Sequence, residues 1–248
     1  MTTGRVPLSR SPRFPGQLAF DSVWSVAMGF EGWLTTDQAR ALWQLAASLQ
    51  PGSHVVEIGS HHGRSTAVLG GAVRGSSHVT AIDPFDHPRW GGGHESRDAF
   101  LHNMDLVHLA TTVRLVQSLS GIERRRWHEP LDLLFIDGAH DRRSVEDDLH
   151  WSEFVRANQV VAVHDAFSSI GVTAAIFRRL LLSNSLRYSG RVGSLALFRK
   201  DKPTVASRLA LSAQVFWFVR NVLVKVTINR GWARLTTLLG HCGPDFPY

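Results

Sequence analysis

The 248-residue sequence has only one cysteine, Cys242, which leaves no internal disulfide and is typical of a reducing compartment. The basic residues Arg5, Arg10 and Arg13 are not followed by an apolar segment, so the N-terminal stretch does not resemble a secretory signal. No apolar run reaches the length needed to span a bilayer. These absences predict a cytoplasmic protein without stable membrane insertion.

The charge is modestly basic, with a net charge of +6. An anionic partner must therefore be considered. The positive residues occur in short groups at 124–126, 142–143 and 178–179, a pattern more typical of solvated helix faces than of a nucleic-acid surface. We predict no nucleic-acid partner. The length fits one α/β domain with additions.

Residues 54–66 have the pattern of a buried strand, a glycine turn and a helix start. Gly59 and Gly63 permit a tight turn close to a ligand, and Ser65 or Thr66 is predicted to cap the helix. The turn lacks the G-x-G-x-x-G spacing that a pyrophosphate needs. Instead, Glu57 precedes Gly59 by two residues, which disfavours phosphate and suits a ligand with an ammonium group. The alternative is an ordinary strand–turn–helix corner.

A second acid, Asp83, ends the next predicted strand and follows Gly63 by 20 residues. An acid at this spacing is placed to bind ribose hydroxyls. Strands then alternate with helices for about 150 residues, which predicts a parallel sheet covered on both faces. We expect an extended arm over residues 1–20, one domain over 21–200 and a helical extension over 201–248.

Two further acids, Asp137 and Asp165, end the predicted strands 131–136 and 159–163. Ligands of doubly wound sheets bind at the carboxyl ends of strands, where two carboxylates can hold a divalent cation such as Mg²⁺. Taken alone, an Asp at the end of a strand caps a turn as often as it binds a metal. His140, three residues after Asp137, is a candidate general base, or it only orients Asp137.

The segment from Glu57 to Gly63 resembles the first motif of class I methyltransferases that use S-adenosylmethionine (SAM). His61 stands where the usual motif has its middle glycine. The run from Phe135 to His140, followed by residues 163–165, resembles the branch of metal-dependent sugar O-methyltransferases and the cephalosporin-biosynthesis methyltransferase. The resemblance extends from about residue 29 to residue 199. Within the branch, it is greatest to the methylmannoside 1-O-methyltransferases of methylmannose polysaccharide synthesis.

This resemblance implies a Rossmann-like, doubly wound, mostly parallel seven-stranded sheet with an N-terminal helical cap and a C-terminal helical extension. It implies SAM and Mg²⁺ as cofactors, and a small sugar or oligosaccharide as acceptor. His140 and Asp137 would be catalytic, and Asp137, Asp165 and either His164 or water would hold the metal. The residues that it assigns to SAM are Glu57, Gly59, Ser60, Gly63, Ser65, Asp83, Ser118 and Asp137.

Three segments outside these motifs have predicted roles. Residues 86–96 are either a flap over the site or a plain surface loop. Trp33 or Trp90 could stack on a sugar, and the alternative for Trp33 is core filler. The apolar helix predicted over residues 210–228 is expected to pack on the domain or across a homodimer. Its alternative is an interfacial helix on an anionic membrane.

Rival functions differ in what they require. A nucleic-acid methyltransferase would explain the basic charge, but the sequence lacks the Asn/Asp-Pro-Pro-Tyr/Phe and Pro-Cys motifs of those enzymes. A hydroxylase would need iron ligands, and no two-His, one-carboxylate pattern is apparent. A methyltransferase of an antibiotic or other natural-product hydroxyl, and a non-catalytic SAM-binding module, remain open.

Overall fold

The computed structural model of this protein describes residues 18–86 and 94–241. Most of the predicted arm, the centre of the predicted flap with Trp90, and Cys242 lie outside the described residues. The described part forms a seven-stranded sheet. Its strands are β1 (His54–Ile58), β2 (His78–Ile82), β3 (Val113–Val116), β4 (Leu131–Ile136), β5 (Val155–Val163), β6 (Arg187–Val192) and β7 (Leu195–Arg199).

The strand order is β3-β2-β1-β4-β5-β7-β6, and β7 alone runs antiparallel to its neighbours. The central strands β1 and β4 are buried at every position, as expected for parallel strands covered on both faces. The order reverses between β1 and β4, which creates a crevice at their carboxyl ends. The predicted Rossmann-like, mostly parallel seven-stranded sheet is therefore confirmed.

Helices cover both faces of the sheet. Their bounds are α1 (Phe20–Ala27), α2 (Thr36–Ala47), α3 (Arg64–Ala72), α4 (His94–Leu106), α5 (Ser120–Arg124), α6 (Arg142–Leu149), α7 (Ile170–Leu180), α8 (Val205–Ser212), α9 (Gln214–Asn229) and α10 (Ala233–Leu238). Alternate strand residues enter two separate cores. Val55 and Leu133 pack in the core that includes α1 to α3, and Val56 and Leu134 pack in the core that includes α6 and α7.

The N-terminal cap forms where the sequence predicts it. Thr35 begins α2 through a capping box, in which the Thr35 side chain accepts from the Gln38 backbone N–H and the Gln38 side chain accepts from the Thr35 backbone N–H. Leu42 and Ala46 then turn into the core. Both cap helices pack against α3, so they hold the loop between them over the carboxyl end of β1.

Several predicted bounds differ from the structure. The sequence pattern predicts a helix over residues 119–129, but α5 ends at Arg124. It also predicts a helix over residues 144–155, but α6 ends at Leu149 and a short 3₁₀ helix, His150–Glu153, precedes β5.

The predicted caps of α3 are also wrong. Gly63, with a φ of 83°, is its N-cap. The hydroxyls of Ser65 and Thr66 instead donate hydrogen bonds to the Glu57 carboxylate in β1.

The C-terminal extension consists of α8, α9 and α10. The expectation that no segment reaches bilayer-spanning length is wrong. Among the described residues, the stretch Val205–Asn229 is long and apolar enough to cross a membrane by length and composition. Only 17% of its most apolar window is buried, so this stretch is not a core helix of the domain.

Candidate functional site

A cavity of about 1340 Å³ lies at the carboxyl ends of β1, β2, β4 and β5. The sequence-predicted residues that line it are Gly59, Ser60, Ser65, Asp83, Asp137, His140, His164 and Asp165. This volume exceeds that of an ordinary small-ligand pocket. The cavity therefore has room for two substrates side by side.

The floor of the cavity is the turn between β1 and α3. Gly59 has a φ of 84°, and a Cβ atom there would lie 2.3 Å from the carbonyl oxygen of Asp137. Gly63 has a φ of 83°, and its Cβ would lie 2.6 Å from the Cε of Met104. The backbone of Asp137 leaves no room for a Cβ at Gly59, and the left-handed conformation favours glycine at both positions. The turn thus presents the bare backbone of Gly59 to the cavity, whereas Gly63 does not line it.

Glu57 does not reach the cavity. Its side chain is fully buried, and it accepts hydrogen bonds from the hydroxyls of Ser65 and Thr66 at the start of α3. Burial raises the pKa of Glu57 to about 8, although both hydroxyl contacts oppose this rise. Glu57 therefore fixes α3 against β1 and would support SAM binding through the turn, not through direct contact.

Asp83 organises the same turn from the adjacent strand. Its Oδ2 accepts the backbone N–H groups of Ser60 and His61 at 2.8 and 2.9 Å, and its Oδ1 accepts from Phe85 at 2.7 Å. Asp83 also lines the cavity, which fits its predicted position beside a ribose. Ser118 does not line the cavity. It is half-buried, and the lining begins one residue later at Leu119.

The ends of β4 and β5 bring three metal-ligand types together. The His164 Nδ1 lies 3.0 Å from Asp137 Oδ1 and 3.8 Å from Asp165 Oδ2. One ligand atom from each residue lies within 4.8 Å of the other two. The buried His164 Nδ1 faces both carboxylates, so the three side chains surround one shared point. This donor set fits a divalent cation.

The electrostatics of this group favour a positive charge. Burial acts against the imidazolium of His164, but the Asp137 carboxylate outweighs it and raises the pKa of His164 to about 9. Burial likewise acts to raise the pKa of Asp137, but His164 and His140 lower it to about 2. Two carboxylates thus hold a proton on His164, and a bound cation would replace that proton.

His140 lies on the cavity side of this group. Its Nε2 is 3.3 Å from Asp165 Oδ2 and 4.0 Å from Asp137 Oδ1. The Asp137 carboxylate raises the pKa of His140, burial opposes this rise, and Asp165 adds to it. His140 is half-exposed to the cavity. It can therefore accept a proton from a group bound there.

Two functional residues were missed by sequence reasoning. The Gln38 Oε1 lies 3.3 Å from His164 Nε2, while its Nε2 donates to the Ser194 hydroxyl at 3.0 Å, so Gln38 fixes the imidazole of His164. The Arg64 Nε donates to the Phe30 carbonyl at 2.9 Å and holds the loop before α2. The capping box marks Gln38, but no pattern links it to a residue 126 positions away.

That loop places Trp33 on the cavity wall. Its side chain is 49% exposed, and its ring centroid lies 5.7 Å from that of His61. Trp33 is therefore a wall of the site and not core filler. Glu31, His61 and His62 form a second group with metal-ligand geometry at the cavity rim.

A family model described as a methyltransferase domain matches residues 56–166. This range includes the glycine turn, Asp83, Asp137 and His164. These residues therefore form a methyltransferase domain, and the seven-stranded sheet has the Rossmann-like methyltransferase fold.

Solved structures of similar fold agree with this assignment. The O-methyltransferase of Bacillus cereus in complex with SAH has a TM-score of 0.52 and 17% identity, over 73% of this chain and 90% of that one. The O-methyltransferase TomG of Streptomyces achromogenes, involved in tomaymycin synthesis and bound to SAM, has a TM-score of 0.55 and 16% identity, over 73% and 89%. Cofactor-bound Rv0187 from MTB has a TM-score of 0.58 and 17% identity, over 74% and 88%. At these identities the similarity shows the fold alone.

Proposed function

We propose that this methyltransferase transfers the methyl group of SAM to a hydroxyl of a sugar, with the help of a divalent cation. The observation that carries the proposal is the convergence of Asp137, His164 and Asp165 in the same cavity as the glycine turn. A free alcohol is a poor nucleophile at neutral pH, so oxygen methylation needs a means of removing its proton. A cation site beside a histidine answers that need.

The donor set bears on which metal would bind. Asp137 and Asp165 offer oxygen atoms, which suit Mg²⁺, whereas His164 offers a nitrogen atom. Imidazole ligands favour transition metals such as Mn²⁺ or Zn²⁺ over Mg²⁺. We therefore widen the expectation from Mg²⁺ to divalent cations that accept one nitrogen ligand.

The chain's own residues supply the remaining chemistry. SAM contributes an electrophilic methyl on a sulfonium, and a bound cation lowers the pKa of the acceptor hydroxyl. His140 Nε2 takes the hydroxyl proton as the acceptor oxygen gains the methyl and the carbon–sulfur bond breaks. Asp165, 3.3 Å from this nitrogen, stabilises the resulting imidazolium. Gln38 positions His164 but does not touch the reacting atoms.

Trp33 and the resemblance of the motifs support a sugar as the acceptor. A half-exposed indole on the wall can stack on a sugar face. Our best candidate hydroxyl is the 1-OH of short 3-O-methylmannosides, on the strength of the resemblance alone. A natural-product hydroxyl is the second candidate, since TomG, a protein of similar fold, is involved in tomaymycin synthesis. We retain the cytoplasm as the proposed location.

The proposal is tested by a methyl-transfer screen over mono- and oligosaccharides, including 3-O-methylmannosides, with Mg²⁺ or Mn²⁺ and with EDTA. We expect methylated sugar and SAH in metal, and neither in EDTA. Methylation of sugar at an undiminished rate in EDTA would exclude a role for the cation. Binding of SAM with no turnover of any sugar, in the presence of either metal, would exclude a sugar as the acceptor.

A further inference from the structure

The outer face of α8 and α9 is apolar along its whole length. The two helices continue through Ala213, and the side chains of Val205, Leu209, Phe216 and Leu223 are exposed, Phe216 at 79%. Their spacing follows the helical repeat, so they form one stripe. Residues 205–226 are all described, and none of the exposed side chains among them is charged. We call this surface the tail face.

Polar side chains on the opposite side of the same helices form hydrogen bonds with the domain. Asn221 Nδ2 donates to the Phe167 carbonyl at 2.8 Å, and Lys225 Nζ donates to the Ser168 carbonyl at 2.7 Å. Arg208 Nη2 donates to the Ser183 carbonyl at 2.9 Å. The helices therefore lie along the domain surface, with one side held by it and the apolar side facing outward.

The charge of the protein is concentrated in this extension. Residues 202–241 hold six of the 27 Lys and Arg residues and none of the 21 Asp and Glu residues. Residues 202–241 thus carry a net charge of +6, and the other residues together are neutral. Arg230 and Arg234 are exposed at the end of the tail face, beside the half-exposed Trp232. An apolar stripe flanked by cations and an indole is typical of helices that lie in a membrane interface.

The tail face also continues into the cavity. Val226, which is exposed on α9, lines the cavity together with Val222. Ile170, at the start of α7, is exposed and lines it as well. These apolar side chains therefore form a path, bordered by Lys225 and Asn229, from the outer surface of the extension to the cavity.

We propose that the tail face docks on an anionic lipid surface, with α8 and α9 lying in the plane of the interface. The occupant is a bilayer containing acidic phospholipid. On the basis of the proposed function, the acceptor would then be a sugar carried by a lipid or another amphipathic molecule, delivered along the apolar path.

The charge favours lipid over a second copy of this chain. Two copies meeting through this face would bring together the exposed cations of each, Lys202, Arg230 and Arg234, without a carboxylate in residues 202–241 of either copy. An acidic bilayer instead attracts those cations while it covers the apolar stripe. A dimer through this face would also cover the apolar entrance to the cavity.

The test is co-sedimentation of the full chain with vesicles of phosphatidylcholine alone or mixed with phosphatidylglycerol, without SAM or acceptor. We expect strong binding to the mixed vesicles, weak binding to the neutral ones, and a decrease with added salt. The double variant Leu209→Ser/Phe216→Ser should weaken binding by roughly tenfold or more. Leu106→Ser, which removes an exposed leucine from α4, is the matched control and should bind normally.

A second pair of variants tests the charge. Arg230→Gln and Arg234→Gln should each weaken binding to acidic vesicles by about fivefold, from the typical contribution of a cation near such a surface. No binding to acidic vesicles at low salt would overturn the proposal. A wild-type dimer that Leu209→Ser/Phe216→Ser converts to monomer, without vesicle binding, would assign the face to a second copy. None of these results depends on methyl transfer, so failure of the sugar screen leaves them unaffected.

Discussion

The His164 Nδ1 lies 3.0 Å from Asp137 Oδ1, although β4 and β5, which carry these residues, are separated in sequence by α6. The parallel register pairs Ile136 with Val163, so the residues that follow each strand emerge side by side. The pairing of the strands, rather than any local motif, therefore builds the proposed cation site.

Replacing Asp165 by Asn should lower the affinity for Mn²⁺ at least tenfold, because it removes one charged ligand and leaves the fold unaltered. Isothermal titration with Mn²⁺ measures this directly. Asp147→Asn, at another position on the cavity wall, is the matched control and should bind Mn²⁺ as the wild type does. Equal affinity in Asp165→Asn and wild type would place the ion elsewhere.

Metal affinity should increase with pH. Asp137 raises the pKa of His164 to about 9, so below that pH a cation must displace a proton from this nitrogen. The expected change is about tenfold per pH unit between pH 6 and 8. Titrations in two buffers of different ionisation enthalpy would detect the released proton, and a pH-independent affinity would exclude His164 as a ligand.

Replacing His140 by Gln should lower kcat by roughly 10²- to 10⁴-fold, the usual contribution of a general base. SAM affinity should stay within about twofold, because His140 belongs to the acceptor side of the cavity. The acidic limb of the kcat–pH profile should also disappear. If His140→Gln keeps the wild-type kcat, His140 only orients Asp137.

The free energy of unfolding should fall as the pH rises from about 4.5 to about 8. Burial raises the pKa of Glu57 from 4.5 to about 8, so in this window the folded chain binds more protons than the unfolded chain. Glu57→Gln should remove most of this fall, which is on the order of a few kcal/mol at 1.4 kcal/mol per pKa unit. Urea unfolding at pH 5 and pH 8 measures it. The exposed Glu95→Gln should keep the wild-type slope.

Replacing Gly59 by Ala should destabilise the fold by about 3 kcal/mol or more, because the new Cβ meets the Asp137 carbonyl in a left-handed backbone conformation. Gly121→Ala, in α5, is the matched control, since a Cβ there meets nothing within 4 Å. Thermal unfolding compares the two variants. Similar unfolding midpoints for both variants would mean that the turn and the Asp137 backbone separate at little cost to accommodate the new Cβ.

The sequence predicted the sheet and most of the cavity because both follow from local patterns. Gly59, Asp83 and Asp137 stand directly after strands, and Asp165 stands two residues after β5, where a parallel sheet places its ligands. Glu57 also precedes the turn, but it is still inside β1 and its side chain is directed at α3. A shift of one residue along the strand changes whether a side chain faces the cavity or the core. The spacing of Glu57 from the glycines does not reveal which of the two it faces.

Other features depended on contacts between distant parts of the chain. Gln38 meets His164 only because the N-terminal cap folds over the carboxyl end of β5. The exposure of the tail face could not be predicted from the sequence either, since an apolar helical pattern is compatible with a buried or an exposed helix. The three contacts of Asn221, Lys225 and Arg208 with the domain determine which side of the extension faces outward.

The most direct measurement is SAM-dependent methylation of a sugar acceptor by enzyme treated with EDTA and then resupplied with Mn²⁺, in wild type and in Asp165→Asn. Wild-type turnover should stop in EDTA and return with the metal, while Asp165→Asn should remain at least 100-fold slower throughout. Full turnover in EDTA, or an Asp165→Asn variant as active as wild type, would contradict a cation-assisted transfer at the ends of β4 and β5.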